Sequence, residues 1–302
     1  MKTAFLFPGQ ASQYVGMGKD LVEQHARAKE LFERANDIMG VDLMRICFEG
    51  PAEELTQTRY TQPAIFVHSV AIAELTGITP DAAAGHSLGE YSALVAAGAL
   101  SFEDGLRLVK KRGELMQEAG TRSPGTMAAV IGAETVLIAE VCTEASEAGI
   151  VQAANFNSPG QVVISGSLAG VDKAMELLKA RGVRIVKKLP VSGAFHSPLM
   201  QYAQDELGDV LAATPISEAR FPVYTNVTAE PVTKPEAIRE NLLRQVTSPV
   251  MWERSMLNML RDGVTACYET GPGNVLQGLL KRINAELPCT AVGTHDELLL
   301  LK

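Results

Sequence analysis

The sequence predicts an α/β fold in which a small domain interrupts a larger one, on three observations. Short apolar runs alternate with helical stretches through the first half of the chain, the pattern of strands joined by helices. From about residue 122 to 190 the rhythm changes to strand, helix, strand, strand, helix, strand. A glycine-flanked serine, Ser87, stands between a run of small residues and a helical stretch.

In chain order, Ala4 to Phe7 reads as a strand ended by a Pro8-Gly9 turn. Pro63 to Leu75 reads as a mostly buried helix with proline in its first turn, and Asp81 to His86 as a small-residue strand feeding Ser87. Within the changed segment, residues 126–132 predict a strand and Glu134 to Ala148 a helix. Residues 151–156 and 161–166 predict a hairpin pair across Asn157 to Gly160. Leu168 to Arg181 predicts a second helix ended by Gly182, and 183–189 a last strand. That order is the ferredoxin-like unit. It divides the chain into a large domain, 1–121 with 191–302, and an inserted domain, 122–190. Further strands are predicted at Phe221 to Val227, Val264 to Glu269 and Pro288 to Val292, and Gly271-Pro272-Gly273 reads as a turn. The tail after Thr294 has no evident role.

Composition narrows the class of protein. The 302 residues are 46% hydrophobic and 21% charged, as in a globular chain rather than a disordered one. With 27 Lys and Arg against 35 Asp and Glu, the net charge of −8 argues against nucleic acid or an anionic membrane surface as the main partner. The cysteines Cys47, Cys142, Cys267 and Cys289 show no metal-ligand spacing and read as small core residues in a reducing compartment, so no metal site is expected. The first apolar run breaks at Pro8, too early for a signal-peptide core, and nothing approaches the roughly 20 apolar residues that span a bilayer. A cytoplasmic protein is expected.

Gly85-His86-Ser87-Leu88-Gly89 matches G-x-S-x-G, with a strand before it and a helical stretch after it. The flanking glycines permit a tight strand-to-helix turn that holds the serine hydroxyl at the surface. The Leu88 amide then falls at a helix N-terminus, where free N–H groups stabilise an oxyanion. The competing reading is a glycine-rich turn with Ser87 as a helix cap.

A nucleophilic serine needs a base. His25 lies in a polar stretch and reads as solvated, His68 sits in the buried helix, and His295 is in the tail. His86 adjoins Ser87 but points to the opposite face of the strand. His196 remains, in the loop that follows the inserted segment. Arg112 is a further oddity. It falls on the apolar stripe Phe102, Leu106, Val109, Met116, Ala119 of a helix opened by Ser101-x-x-Asp104, while Lys110 and Lys111 point away. A buried guanidinium needs an anionic partner, either a structural salt bridge or a substrate carboxylate held by a bidentate clamp.

Seven segments together resemble the malonyl-CoA:acyl carrier protein transacylases. They are FPGQASQYVGMG (7–18), TQPAIF (61–66), GHSLGEYSALVAAGAL (85–100), NFNSPGQVVISG (155–166), GAFHSPLM (193–200), RQVTSPVMW (244–252) and ETGPGNVL (269–276), and they span nearly the whole chain. The fold this resemblance implies, a hydrolase-like, doubly wound parallel-sheet domain with a ferredoxin-like insertion, agrees with the reading above. It implies Ser87 as nucleophile, His196 as base and Arg112 as the group that binds the malonyl carboxylate. The amides of Gln10 and Leu88 would form the oxyanion hole, and the Gln245 carbonyl would orient His196. Gln62 and Asn155 match positions near the acyl or pantetheine pocket, Phe195 fits a preference for malonyl, and Met116 with Phe195 would give the site an apolar mouth. Malonyl-CoA and acyl carrier protein are the implied partners, in a ping-pong reaction that supplies fatty acid elongation. Coenzyme A and phosphopantetheine serve as substrate carriers, so no cofactor is implied, and a monomer is expected.

Three other readings compete. A thioesterase or lipase-like hydrolase shares the serine motif, but would pair its histidine with an acid and has no need of Arg112. A trans-acting acyltransferase of a polyketide synthase would share the whole apparatus and differ in its carrier. A carrier-binding module without activity would not need Ser87, His196, Arg112 and Gln245 together. Carriers of this pathway are typically acidic, so a chain of net −8 needs a basic landing area. Residues 173–190 hold six basic side chains against one acidic, a local excess of +5 that leaves −13 elsewhere. Lys187 and Lys188 mark this candidate docking face, against the plainer reading of a solvated strand edge.

Overall fold

Ala4, Phe5, Leu6 and Phe7 are all at most 1% exposed, because the strand that carries them, β1 (Lys2–Phe7), lies inside a sheet covered on both faces. The computed structural model describes residues 2–191 and 193–301, so Ser192 of the His196 loop lies outside the described residues. The other strands are β2 (Ala82–Gly85), β3 (Gly125–Ile131), β4 (Val151–Ser158), β5 (Gln161–Ser167), β6 (Ile185–Lys188), β7 (Val223–Tyr224), β8 (Pro231–Val232), β9 (Val264–Thr270) and β10 (Cys289–Val292).

The larger sheet runs β10-β9-β1-β2-β7-β8, parallel except for the last pair. Alternation along β1 sends Phe5 and Phe7 into one apolar core and Ala4 and Leu6 into a second core around Trp252, Met256 and Leu280. The fold is thus α/β with a doubly covered parallel sheet. Small residues in β2 let the next helix, Gly89–Ala96, press onto the sheet. A Cβ on Gly89 would stand 2.1 Å from the Phe7 carbonyl oxygen, so only glycine fits this crossing.

The inserted domain is a second sheet, β4-β5-β3-β6, antiparallel throughout. This is the ferredoxin-like arrangement that the sequence order predicts. Its hairpin turns at Pro159-Gly160, where Gly160 takes φ +69°. The helices Thr135–Ala145 and Leu168–Ala180 cover one face, packing Ile138, Val141 and Leu178 onto Ala128, Val130, Val162 and Ile164. The intervening residues Met127, Ala129 and Val163 face the opposite way, toward the large domain. At one edge, β4 is tied to the large domain: Val250 donates to the Ala154 carbonyl at 2.8 Å, and Phe156 donates to the Val250 carbonyl at 2.9 Å.

Four sequence expectations need correction. The helix ending at Leu75 begins at Thr58, so Pro63 lies inside it rather than in its first turn; its opening turn is set by Tyr60 and Thr61 amides donating to the Gln57 carbonyl. The expected strand over Phe221 to Val227 shortens to Val223–Tyr224, because the backbone turns at Thr225, whose carbonyl accepts from the Ala229 amide, and the Asn226 amide donates to Glu90 instead of to a neighbouring strand. The tail is a helix, His295–Leu299, capped by Thr294 and Glu297 and anchored where the His295 amide donates to Asp20 at 2.7 Å. His25 is half-buried rather than solvated, with its Nε2 2.9 Å from His295 Nδ1.

Candidate active site

The turn between β2 and the Gly89–Ala96 helix places Ser87 at φ +53°, a conformation costly for a residue with a side chain. Asn226 holds the turn in place. Its Oδ1 accepts from the Ser87 amide at 2.6 Å, and its Nδ2 donates to the Gly85 carbonyl at 2.6 Å. The Ser87 hydroxyl thereby projects into a cavity of about 260 Å³ between the two sheets.

His196 lies 2.8 Å from that hydroxyl through Nε2. Its other nitrogen, Nδ1, faces two acceptors, the Gln245 carbonyl at 2.8 Å and the Ser248 carbonyl at 3.2 Å. Carbonyls only accept, so Nδ1 carries the proton and Nε2 is left basic toward Ser87. Burial, and then the neighbouring Arg112 charge, push the imidazole down to about 3. It is therefore neutral near pH 7, the state a base requires. Gln152 steadies the loop by donating to the His196 carbonyl at 3.0 Å.

Arg112 is 1% exposed on the helix Phe102–Arg122, as its place on the apolar stripe predicts. Its Nη2 donates to Ser87 Oγ at 2.9 Å and to Gln245 Oε1 at 2.9 Å, and its Nη1 to Gln62 Oε1 at 2.8 Å. With Arg112 donating to it, the Ser87 hydroxyl points its own hydrogen at His196. The guanidinium also sits 5.5 Å from the Tyr91 ring centre. Of the two readings of this cation, a direct salt bridge is not found among the described residues. Among the described residues no carboxylate lies within 4 Å of Arg112, and its Nε has no partner. The buried Glu90 carboxylate reaches it only through the Gln245 amide, which leaves the guanidinium without a directly paired anion.

The same cavity is lined by the remaining residues singled out in the sequence. Leu88 directly precedes the Gly89–Ala96 helix, and Gln10 comes from the loop after β1. That loop meets the serine turn closely: a Cβ on Gly9 would stand 2.4 Å from the His86 carbonyl oxygen. Gln62 also donates to Met116 Sδ at 3.4 Å, and both side chains line the cavity. Phe195 closes one side, and Asn155 lines the β4 side. Gln245 stands behind the cavity, fully buried.

Lys187 and Lys188 lie outside it, on β6, and the pairing register separates them. Lys187 stands opposite Ala129, on the cavity face of the sheet. Lys188 stands opposite Ala128, on the helix face, where it pairs with Asp172 at 2.6 Å. The basic stretch is further neutralised by Lys173 with Glu176 and by Arg181 with Glu140 and Glu144. Asp172, just outside the stretch, and Glu140 and Glu144 from a neighbouring helix thus offset part of its +5 excess.

Sequence reasoning missed Asn226, Ser248 and Glu90. Glu90 is 1% exposed, and burial pushes its carboxyl up to about 7 against hydrogen bonds from Asn226 and Gln245 and the Arg112 charge. Its signal was available: it lies three residues past Ser87 in a helix with no polar face. Asn226 and Ser248 gave none, since each acts through a fold-dependent approach to a distant turn.

Residues 4–295 match the model of the acyl transferase domain. The malonyl CoA-acyl carrier protein transacylase of Bacillus subtilis is 48% identical over 299 residues, 98% of this chain and 94% of that protein. The crystal structure of an acyl carrier protein S-malonyltransferase from Vibrio cholerae superposes with a TM-score of 0.96 at 43% identity, covering 100% of both chains. A type II polyketide acyl carrier protein bound to its malonyl-transacylase provides a third match, with a TM-score of 0.96, 41% identity, and 100% of this chain and 99% of that one covered. This chain belongs to the acyl transferase domain family and, within it, to the malonyl CoA-acyl carrier protein transacylases.

Proposed function

We propose that this protein transfers malonyl from malonyl-CoA to the phosphopantetheine thiol of acyl carrier protein through a malonyl ester on Ser87. His196 Nε2 takes the hydroxyl proton as Oγ attacks the thioester carbonyl, and the Gln10 and Leu88 amides take the charge that develops on oxygen. The C–S bond breaks, and coenzyme A leaves with the proton from His196. The carrier's thiol then gives its proton to the same nitrogen and attacks the ester carbonyl; the Ser87 Oγ–acyl bond breaks and Oγ recovers the proton from His196, which completes a ping-pong cycle. Coenzyme A and phosphopantetheine enter as substrate parts, and side chains and amides handle every proton and charge.

Arg112 carries this reading. A buried cation with no directly paired carboxylate among the described residues, donating to the nucleophile itself, fits an acyl group that ends in a carboxylate. A plain hydrolase fits less well, because His196 rests on two carbonyls instead of an acid. Mixing with malonyl-CoA in the absence of carrier should release a burst of coenzyme A equal to the enzyme present, with one malonyl group on the Ser87 peptide. Steady release without that adduct would sink the proposal.

The likeness to a transacylase bound to a polyketide carrier supports a second reading of the same chemistry, with a polyketide rather than a fatty acid carrier as partner. Comparing transfer to one carrier of each kind decides between them. Nucleophile, base and Arg112 all come from one chain, which supports a monomer as the working unit. No helix among the described residues is long and apolar enough to cross a membrane, and the cytoplasm is the proposed location.

A further inference from the structure

The cation that faces the nucleophile is held by a neutral amide, and an amide can be turned either way round. Gln245 presents its oxygen to Arg112 Nη2 at 2.9 Å. Flipped, it would present an NH₂ group to a guanidinium, donor against donor, and Arg112 would lose that hold. What fixes the amide lies on its other side. Gln245 Nε2 donates to Glu90 Oε2 at 2.7 Å and to the Ser87 carbonyl at 3.0 Å. The same Glu90 oxygen accepts from the Asn226 amide at 3.0 Å, and Asn226 in turn braces the Ser87 turn. One buried acceptor therefore ends two chains of hydrogen bonds, one reaching Arg112 and the other the nucleophile.

We propose that Glu90 is a positioning residue for malonyl selection: by fixing the Gln245 amide it aims the Arg112 guanidinium at the place of the substrate carboxylate. It touches neither substrate nor reacting atoms. The proposal rests on the reading of Arg112 as the malonyl-binding group. It assigns Glu90 an effect through where its acceptor oxygen stands, so a neutral carbonyl oxygen at the same distance serves nearly as well.

Two substitutions separate position from charge. Glu90→Gln keeps the side-chain length and one oxygen acceptor but removes the charge. Glu90→Asp keeps the charge but withdraws the acceptor by one carbon. The readout is the ratio of Ser87 loading, as kcat/KM, between malonyl-CoA and acetyl-CoA, since the acetyl group has no carboxylate to clamp. Glu90→Asp should lower that ratio by roughly 10-fold or more, mainly through the malonyl KM, and Glu90→Gln by no more than about 3-fold. The reverse order would overturn positioning in favour of charge. Equal losses for both thioesters would reduce Glu90 to a structural role, and an unchanged ratio in both variants would also refute it. Arg112→Ala in parallel keeps the two ideas apart. If it leaves the ratio intact, the reading of Arg112 fails; if it collapses the ratio while the Glu90 variants do not, only the role of Glu90 fails.

Discussion

At the floor of the cavity, Ser87, Arg112, His196 and Gln245 arrive from four separate segments; Ser87 and Gln245 lie 158 positions apart and still share a hydrogen bond. On the wall, Met127, Ala129 and Val163 come from two adjacent strands of one small sheet. The floor is a polar lattice in which side chains are held by other side chains, so one change spreads to several neighbours. The wall is set by alternation, each lining residue flanked by one that belongs to the inserted domain's own core. Chemistry is therefore concentrated where residues are interdependent, and fit where they can be exchanged singly.

The strongest attempt to break this contrast is Arg112→Ala, which removes three side-chain hydrogen bonds from the floor at once. Malonyl loading should fall by roughly 10²- to 10³-fold in kcat/KM, with acetyl loading much less affected. Unaltered preference would mean that the floor does not read the carboxylate. Removing an apolar lining side chain that takes no part in the polar lattice should behave differently. Phe195→Ala should leave malonyl loading largely intact and raise the hydrolysis of malonyl-CoA about 3- to 10-fold by admitting water to the ester. Hydrolysis that stays at the parent rate would show that the ring does not shield the site. The smallest effect belongs outside the cavity. Lys187→Glu should raise the KM for the acidic carrier about 3-fold and spare Ser87 loading, because one exposed charge steers an encounter only modestly. Lys188→Glu should act less, since Lys188 already has Asp172. Equal effects from the two would break the separation that the β6 register imposes.

The sequence revealed those parts of this arrangement that rest on local periodicity or on a short motif. The serine turn was legible because its glycines, strand and helix adjoin Ser87, and Arg112 because a cation on an apolar helical stripe breaks the pattern. His196 emerged by elimination and by its loop. The order of the inserted strands was enough to place the second sheet. Partnerships across the fold were not legible. Asn226 sits at the end of what reads as a strand, and only the approach of β7 to β2 brings its side chain to the Ser87 amide. Gln245 was identified for its carbonyl, while its side chain does as much by bridging Glu90 and Arg112. The partial neutralisation of the basic stretch was not legible either, because two glutamates from a neighbouring helix reach Arg181 only after folding.

The two hydrogen bonds between β4 and Val250 give the molecule a mechanical property. Val250 stands two residues beyond Ser248, whose carbonyl, with that of Gln245, holds the imidazole. The inserted sheet and the support of His196 are thus riveted together at one point. The position of the inserted sheet, and with it the cavity wall, is therefore set against the same short segment that orients the proton acceptor.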